Sequence, residues 1–260
     1  MKVKRRIIGL LLALSLLLFG ALNIFAAGKT MELNISTAAS LKDVMREIQK
    51  LYLLKQPNIK INYILGSSGA LQVQIEQGAP VDLFISAAFK QMDALEKKDL
   101  LLKGTRKNLL ENQLVLIVPK DSTLNLKDFQ DLASNNVTKI GIGAPGSVPA
   151  GQYAQQVFQY FNIREKIQGK MVLGTDVRAV LTYVETGNVD AGVVYRTDAM
   201  ICDKIKVATV APAGSHEPVI YPAAIMANSS HPKEAADFLA YLTGSACKAV
   251  FEKYGFVIPK

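Results

Sequence analysis

From Met31 onward, segments with a two-residue apolar period alternate with segments of helical period, and few folds accept that rhythm. Met31 to Ser36 alternates like a short strand, and Leu41, Val44, Met45, Ile48, Leu51 and Tyr52 recur at helical spacing. Ser40, with Asp43 three residues later, reads as a variant capping box. Ile59 to Leu65 is a second strand; Gly66-Ser67-Ser68-Gly69 then leads into a helix that stops near Gly78. Asp82 to Ser86 reads as a buried strand and Phe89 to Lys97 as a helix. The apolar stretch Gln113 to Pro119 opens a second series: a helical segment at Leu126 to Leu132, a strand at Lys139 to Ala144, and a helix through Tyr153, Val157 and Phe161. A strand at Lys170 to Leu173, a helix from Asp176 and strands at Asp190 to Tyr195 and Ile205 to Ala211 follow. Val219 to Ala227 is extended, and helices at Pro232 to Leu242 and Ser245 to Tyr254 close the chain.

Strands alternating with helices imply an α/β fold with largely parallel sheets. There is no repeat, no low-complexity tract and no Ser/Gly linker, so two units could not be loosely tethered. We therefore expect two lobes that the chain crosses twice, with a ligand in the cleft and closure by hinge motion. Residues 28–112 and 222–260 form the first lobe in this reading, and 113–221 the second.

The N-terminus, Met1-Lys2-Val3-Lys4-Arg5-Arg6, precedes an apolar run from Ile7 to about Ala27. Small residues at Ala26, Ala27 and Gly28 favour a cleaved secretory signal over residues 1–27 rather than an uncleaved anchor, although the run is long enough to span a bilayer. No cysteine lies near that junction, so lipid anchoring is not expected, and export to the periplasm is. The formal charge of +8 falls to +4 without that segment, since four of the 30 basic residues leave with it and the 22 acidic ones stay. No basic cluster is interleaved with aromatics, which argues against nucleic acid as a partner. Cys202 and Cys247 have no CxxC spacing; export permits a disulfide between them, but isolated thiols are more often plain buried residues.

Five strand-to-helix junctions carry small or hydroxylated residues: Ala38-Ala39-Ser40, Gly66-Ser67-Ser68-Gly69, Ser147-Val148-Pro149-Ala150-Gly151, Thr175-Asp176-Val177 and Tyr195-Arg196-Thr197. In open α/β sheets, ligands bind beyond the carboxyl ends of strands. Helix N-termini there present unpaired N–H groups and the positive dipole end, which suits an anion. A tetrahedral dianion could disperse its charge into neutral donors without a buried ion pair. Each junction alone reads equally as a helix cap, because Ser, Asp and Gly cap well.

The ordered set is more specific. Ala38-Ala39-Ser40-Leu41, Gly66-Ser67-Ser68-Gly69, Gly78-Ala79-Pro80-Val81-Asp82-Leu83-Phe84-Ile85-Ser86-Ala87, Val148-Pro149-Ala150-Gly151, Asp176-Val177-Arg178, Gly192-Val193-Val194-Tyr195 and Lys253-Tyr254-Gly255-Phe256 together resemble the bacterial molybdate-binding proteins of ABC transporters, the ModA family. The resemblance implies a type II periplasmic-binding-protein fold, binding of molybdate and tungstate, poor binding of sulfate, and delivery to a membrane permease and its ATPase. It also implies the contacts. Ser40 and Ser68 would give hydroxyls and amides, Ala150 and Val177 backbone N–H groups, and Tyr195 its phenol. The molybdenum would be held as the oxyanion, with no direct protein–metal ligand and no cofactor. A monomer without enzymatic activity is the corresponding expectation.

Asp176 reads as a cap rather than a ligand. Arg178 reads either as a long-range stabiliser of the anion or as a solvated side chain. A hydrolase would need Ser67 or Ser68 as nucleophile, but there is no GxSxG elbow, and the two histidines, His216 and His231, sit in polar turns. Sulfate, phosphate or a small organic acid remain as other ligands for the same cleft. Phosphate is disfavoured because its proton wants an acceptor.

Overall fold

The computed structural model describes residues 30–259, so the segment expected to be a secretory signal, residues 1–27, lies outside the described residues. The strands form two five-stranded sheets. The first contains β1 (Met31–Ala38), β2 (Ile59–Gly66), β3 (Leu83–Ile85), β4 (Lys107–Asn112) and β10 (Val219–Ile225), in the order β2-β1-β3-β10-β4. The second contains β5 (Leu114–Pro119), β6 (Ile140–Gly143), β7 (Met171–Gly174), β8 (Ala191–Tyr195) and β9 (Ile205–Val210), in the order β7-β6-β8-β5-β9. The chain passes from the first sheet to the second through Gln113, and returns through residues 211–218.

The helices are α1 (Lys42–Lys55), α2 (Ser68–Glu76), α3 (Phe89–Glu96), α4 (Pro149–Tyr160), α5 (Arg164–Ile167), α6 (Val177–Glu185), α7 (Arg196–Met200), α8 (Pro232–Leu242) and α9 (Ser245–Lys253). None is long and apolar enough to cross a membrane among the described residues.

Period-two alternation explains how the first sheet buries both faces. Leu83 and Ile85 of β3 join the main core, where Val44, Met45 and Ile48 of α1 also sit, while Phe84 between them joins a second cluster with Leu71, Ile75, Met92 and Leu95 of α2 and α3. β10 repeats the division, with Ala223 and Ile225 on one side and Ala224 on the other, where Met226 just beyond the strand joins it. Tyr52 of α1 holds α8 by an edge contact to Phe238, with ring centroids 4.8 Å apart.

Three expectations need correction. The sheets are mixed rather than largely parallel. β1 pairs parallel with β2 and β3, and β6 with β7 and β8, but β10 and β5 run antiparallel to both their neighbours. These two strands adjoin the crossings, enter their sheets in the opposite direction, and slot between the third strand and the edge strand. Ser40 does not cap α1: it lies in a 3-10 turn, Ala39–Leu41, and α1 starts without a side-chain cap. The segment expected as a helix at Leu126 to Leu132 is a short 3-10 helix, Phe129–Ala133, capped by Asp128. The strand β4 had no alternating signal, because only Leu109 and Leu110 are buried within Lys107–Asn112.

Candidate functional site

The parallel strands β1, β2, β6 and β7 each deliver the chain from their carboxyl ends towards a helix start. These ends meet in one small, tight pocket, whose walls include Ser40, Ser68, Ala150, Val177 and Tyr195. The structure thus brings all five sequence-derived residues together. Ala38, Gly66, Ala87, Val148 and Asp176 complete much of the wall. A larger concavity between α3 and α4 is lined by charged side chains, including Lys90, Asp93, Lys97 and Glu217, and holds none of the five.

At each helix start the cap arrangement leaves a particular N–H uncommitted. Before α2, the Ser67 hydroxyl accepts from Ala70 N–H, Ser67 C=O accepts from Leu71, and Gly69 N–H donates to Ser147 C=O at 2.9 Å. Ser68 N–H remains. Before α4, Pro149 has no N–H, and the N–H groups of Gly151 and Gln152 donate to Val148 C=O. Ala150 N–H remains. Before α6, Asp176 Oδ1 accepts from Arg178 N–H at 2.8 Å and Ala179 N–H at 3.0 Å, which leaves Val177 N–H. First-turn N–H groups lack intrahelical acceptors, so these three are available to a ligand.

The hydroxyls are equally constrained. Ser68 is fully buried, and its Oγ accepts from Ala87 N–H at 2.9 Å, so its own proton is free to point elsewhere. Ser40 Oγ lies 2.9 Å from the Tyr221 phenol oxygen. Tyr195 is buried, yet its hydroxyl has no partner among the described residues. Burial, with the neighbouring Tyr221, pushes the Tyr195 phenol well above its ordinary pKa, so it keeps its proton and acts as a donor. An unpartnered buried hydroxyl is costly, which makes this one a place where a ligand atom belongs.

The lining contains no cationic side chain, and its one carboxylate, Asp176, is already committed to two N–H groups. The nearby Arg178 is half-buried and does not line the pocket. Its guanidinium meets Asp198 at 2.6 Å and Asp43 at 2.8 Å, and donates to Ser40 C=O at 3.2 Å. Asp198 is fully buried, and burial pushes its pKa up to about 6 while Arg178 pulls it down. Arg178 on α6 thereby ties the second sheet's elements to Asp43 on α1.

None of the lining residues is a histidine, so Ser67 and Ser68 have no imidazole base here. His216 packs on the Tyr153 ring at 5.6 Å and shares a hydrogen bond with Glu217 C=O. Cys202 and Cys247 are free thiols rather than a disulfide. Sequence reasoning missed Tyr221, Asn112 and the contact of Gly69 with Ser147. No local pattern marks them, because each acts through a partner at least 78 positions away in sequence.

Two mixed sheets of the same order thus enclose a small donor-lined pocket at their strand ends. Residues 33–257 match the model of the family described as bacterial extracellular solute-binding protein. YvgL of Bacillus subtilis, assigned provisionally as an ABC transporter substrate-binding lipoprotein, is 45% identical over 88% of this chain and 87% of its own length. The molybdate-binding protein ModA of Haemophilus influenzae is 37% identical over 89% of this chain and 92% of its own. The solved periplasmic molybdate-binding protein of Azotobacter vinelandii superposes with a TM-score of 0.78 at 25% identity, covering 88% of this chain and all of that one. The chain belongs to the bacterial extracellular solute-binding protein family, as a ModA-type member.

Proposed function

We propose that this protein captures molybdate, and tungstate as readily, in the pocket between its two sheets and delivers it to an ABC transporter. Residues 28–112 with 222–260 act as one lobe and 113–221 as the other, closing on the ion. Ser40, Ser68, Ala150, Val177 and Tyr195 hold it as the oxyanion, through hydroxyl and backbone donors. The protein performs no chemistry on its ligand and works as an exported, periplasmic monomer, freed of residues 1–27. Its partners are a membrane permease and the ATPase that drives it.

The observation that carries this reading is the buried Tyr195 hydroxyl, without a partner among the described residues, in a pocket lined by uncommitted donors and no cationic side chain. A dianion without protons satisfies every one of these donors. Several converging charge-assisted hydrogen bonds, each worth about 1.5–3 kcal/mol, support tight binding without the desolvation cost of a buried counter-charge. The relative named for molybdate at 37% identity supports the choice of ion.

Thermal melting tests it. Ligand at about 1,000 times Kd stabilises the bound state by about 4 kcal/mol, which raises Tm by about 10 °C for a chain of this size. Molybdate and tungstate should each produce such a rise and sulfate almost none. Equal shifts with sulfate, or no shift with any, would refute the reading.

A further inference from the structure

Tyr221 of β10 is fully buried, and its phenol oxygen lies 2.9 Å from Ser40 Oγ and 3.3 Å from Asn112 Nδ2. The orientation of the Asn112 amide is fixed from the other side. Its Oδ1 accepts the backbone N–H of Gln113 at 2.8 Å, which leaves the NH2 group facing Thr197 Oγ1 at 2.9 Å and the Tyr221 phenol. An amide NH2 can only donate. The Tyr221 proton therefore has one acceptor among the described residues, Ser40 Oγ. Once Ser40 accepts that bond, its own proton is left to point into the pocket.

We propose that Tyr221, polarised by Asn112, is a positioning residue that fixes Ser40 as a hydrogen-bond donor to the bound oxyanion. The relay runs from Gln113 N–H through Asn112 and Tyr221 to Ser40, so the donor sense at the ligand is set at the residue pair where the chain leaves the first sheet. Thr197, on α7 of the second sheet's half, holds the other N–H of the same amide. With Ser68 polarised in the same sense by Ala87 N–H, two serine hydroxyls face the ligand as donors. Such a wall suits an oxyanion without protons and offers a poor welcome to a protonated one.

The inference rests on the molybdate reading, and a double-mutant cycle separates the two. Molybdate is titrated into the wild type, Tyr221→Phe, Ser40→Ala and the double variant. The ring of Tyr221 is packed against Tyr195 and Phe256, at centroid distances of 5.9 and 5.6 Å, so Tyr221→Phe keeps its packing and should fold. Its loss alone should weaken binding about five- to tenfold, and in the Ser40→Ala background it should change affinity less than about twofold. A structural role would weaken both backgrounds alike. Asn112→Ala, run through the same cycle, should show the same dependence on Ser40 and covers the case in which Tyr221→Phe does not fold. Additive losses, or no loss in Tyr221→Phe, overturn the relay while the molybdate reading stands. A folded wild type that ignores molybdate overturns both.

Discussion

Gly69→Ala is expected to give a folded protein whose oxyanion affinity falls by about a hundredfold or more, the cost of overpacking a tight contact combined with the loss of converging ligand bonds. A Cβ on Gly69 would stand 2.6 Å from Ser147 O and 2.7 Å from Ser147 Cα. Both are backbone atoms, so neither can swing aside as a flexible side chain would. Gly69 lies in the first turn of α2 and Ser147 in the loop before α4, so the clash falls between elements of the two sheets rather than within one core. The two sides would have to separate, breaking the Gly69 N–H bond to Ser147 C=O and drawing the Ser68 donor away from Ala150. Titration with molybdate beside an unliganded melt reads both parts. Gly146→Ala is the control: nothing lies within 4 Å of its Cβ position, and its affinity should match the wild type.

Ser68→Ala should cost nearly as much. The substitution removes a hydroxyl donor to a charged ligand, worth about 1.5–3 kcal/mol, or about ten- to 150-fold in affinity. It also leaves the buried Ala87 N–H without the Ser68 oxygen it donates to at 2.9 Å. That second loss falls on stability as well, by about 1–3 kcal/mol for an unsatisfied buried donor, unless the ligand or a water replaces the oxygen. Molybdate affinity should therefore drop by about two orders of magnitude while the apo protein melts a few degrees lower. Unchanged affinity in a folded Ser68→Ala protein would remove Ser68 from the site.

The sequence carried the rhythm of this fold better than its direction. Met31 to Ser36 and Leu41 to Tyr52 announce a strand and a helix through their apolar periods alone. The antiparallel insertion of β10 and β5 left no such trace, because period two is the same whichever way a strand runs. Nor did the two sheets betray that they share one plan. The orders β2-β1-β3-β10-β4 and β7-β6-β8-β5-β9 correspond strand for strand, and in each the inserted strand shifts register against the edge strand. The repetition is one of topology, which different side chains satisfy equally well.

The site was legible to the degree that its chemistry lies in side chains. Ser40, Ser68 and Tyr195 are hydroxylated residues at strand ends, the type that the junctions marked on physical grounds, although only the family resemblance chose Ser68 over Ser67. Ala150 and Val177 could not, since an available backbone N–H leaves no mark on residue identity; only the family resemblance pointed to them. Arg178 was read as a long-range partner of the anion or a solvated cation, and its place between Asp198 and Asp43 depends on α1, α6 and α7 meeting in space. Tyr221 and Asn112 required both the crossing and the sheet register before their protons could be counted.

Calorimetric titration of the mature chain, from about Lys29 onward, with molybdate, tungstate, sulfate and phosphate in turn bears most directly on the pocket's purpose. One-to-one binding of molybdate and tungstate with similar high affinity, sulfate far weaker and phosphate undetected is the predicted result. Silence with all four from folded protein, or sulfate and phosphate binding as tightly as molybdate, would contradict it.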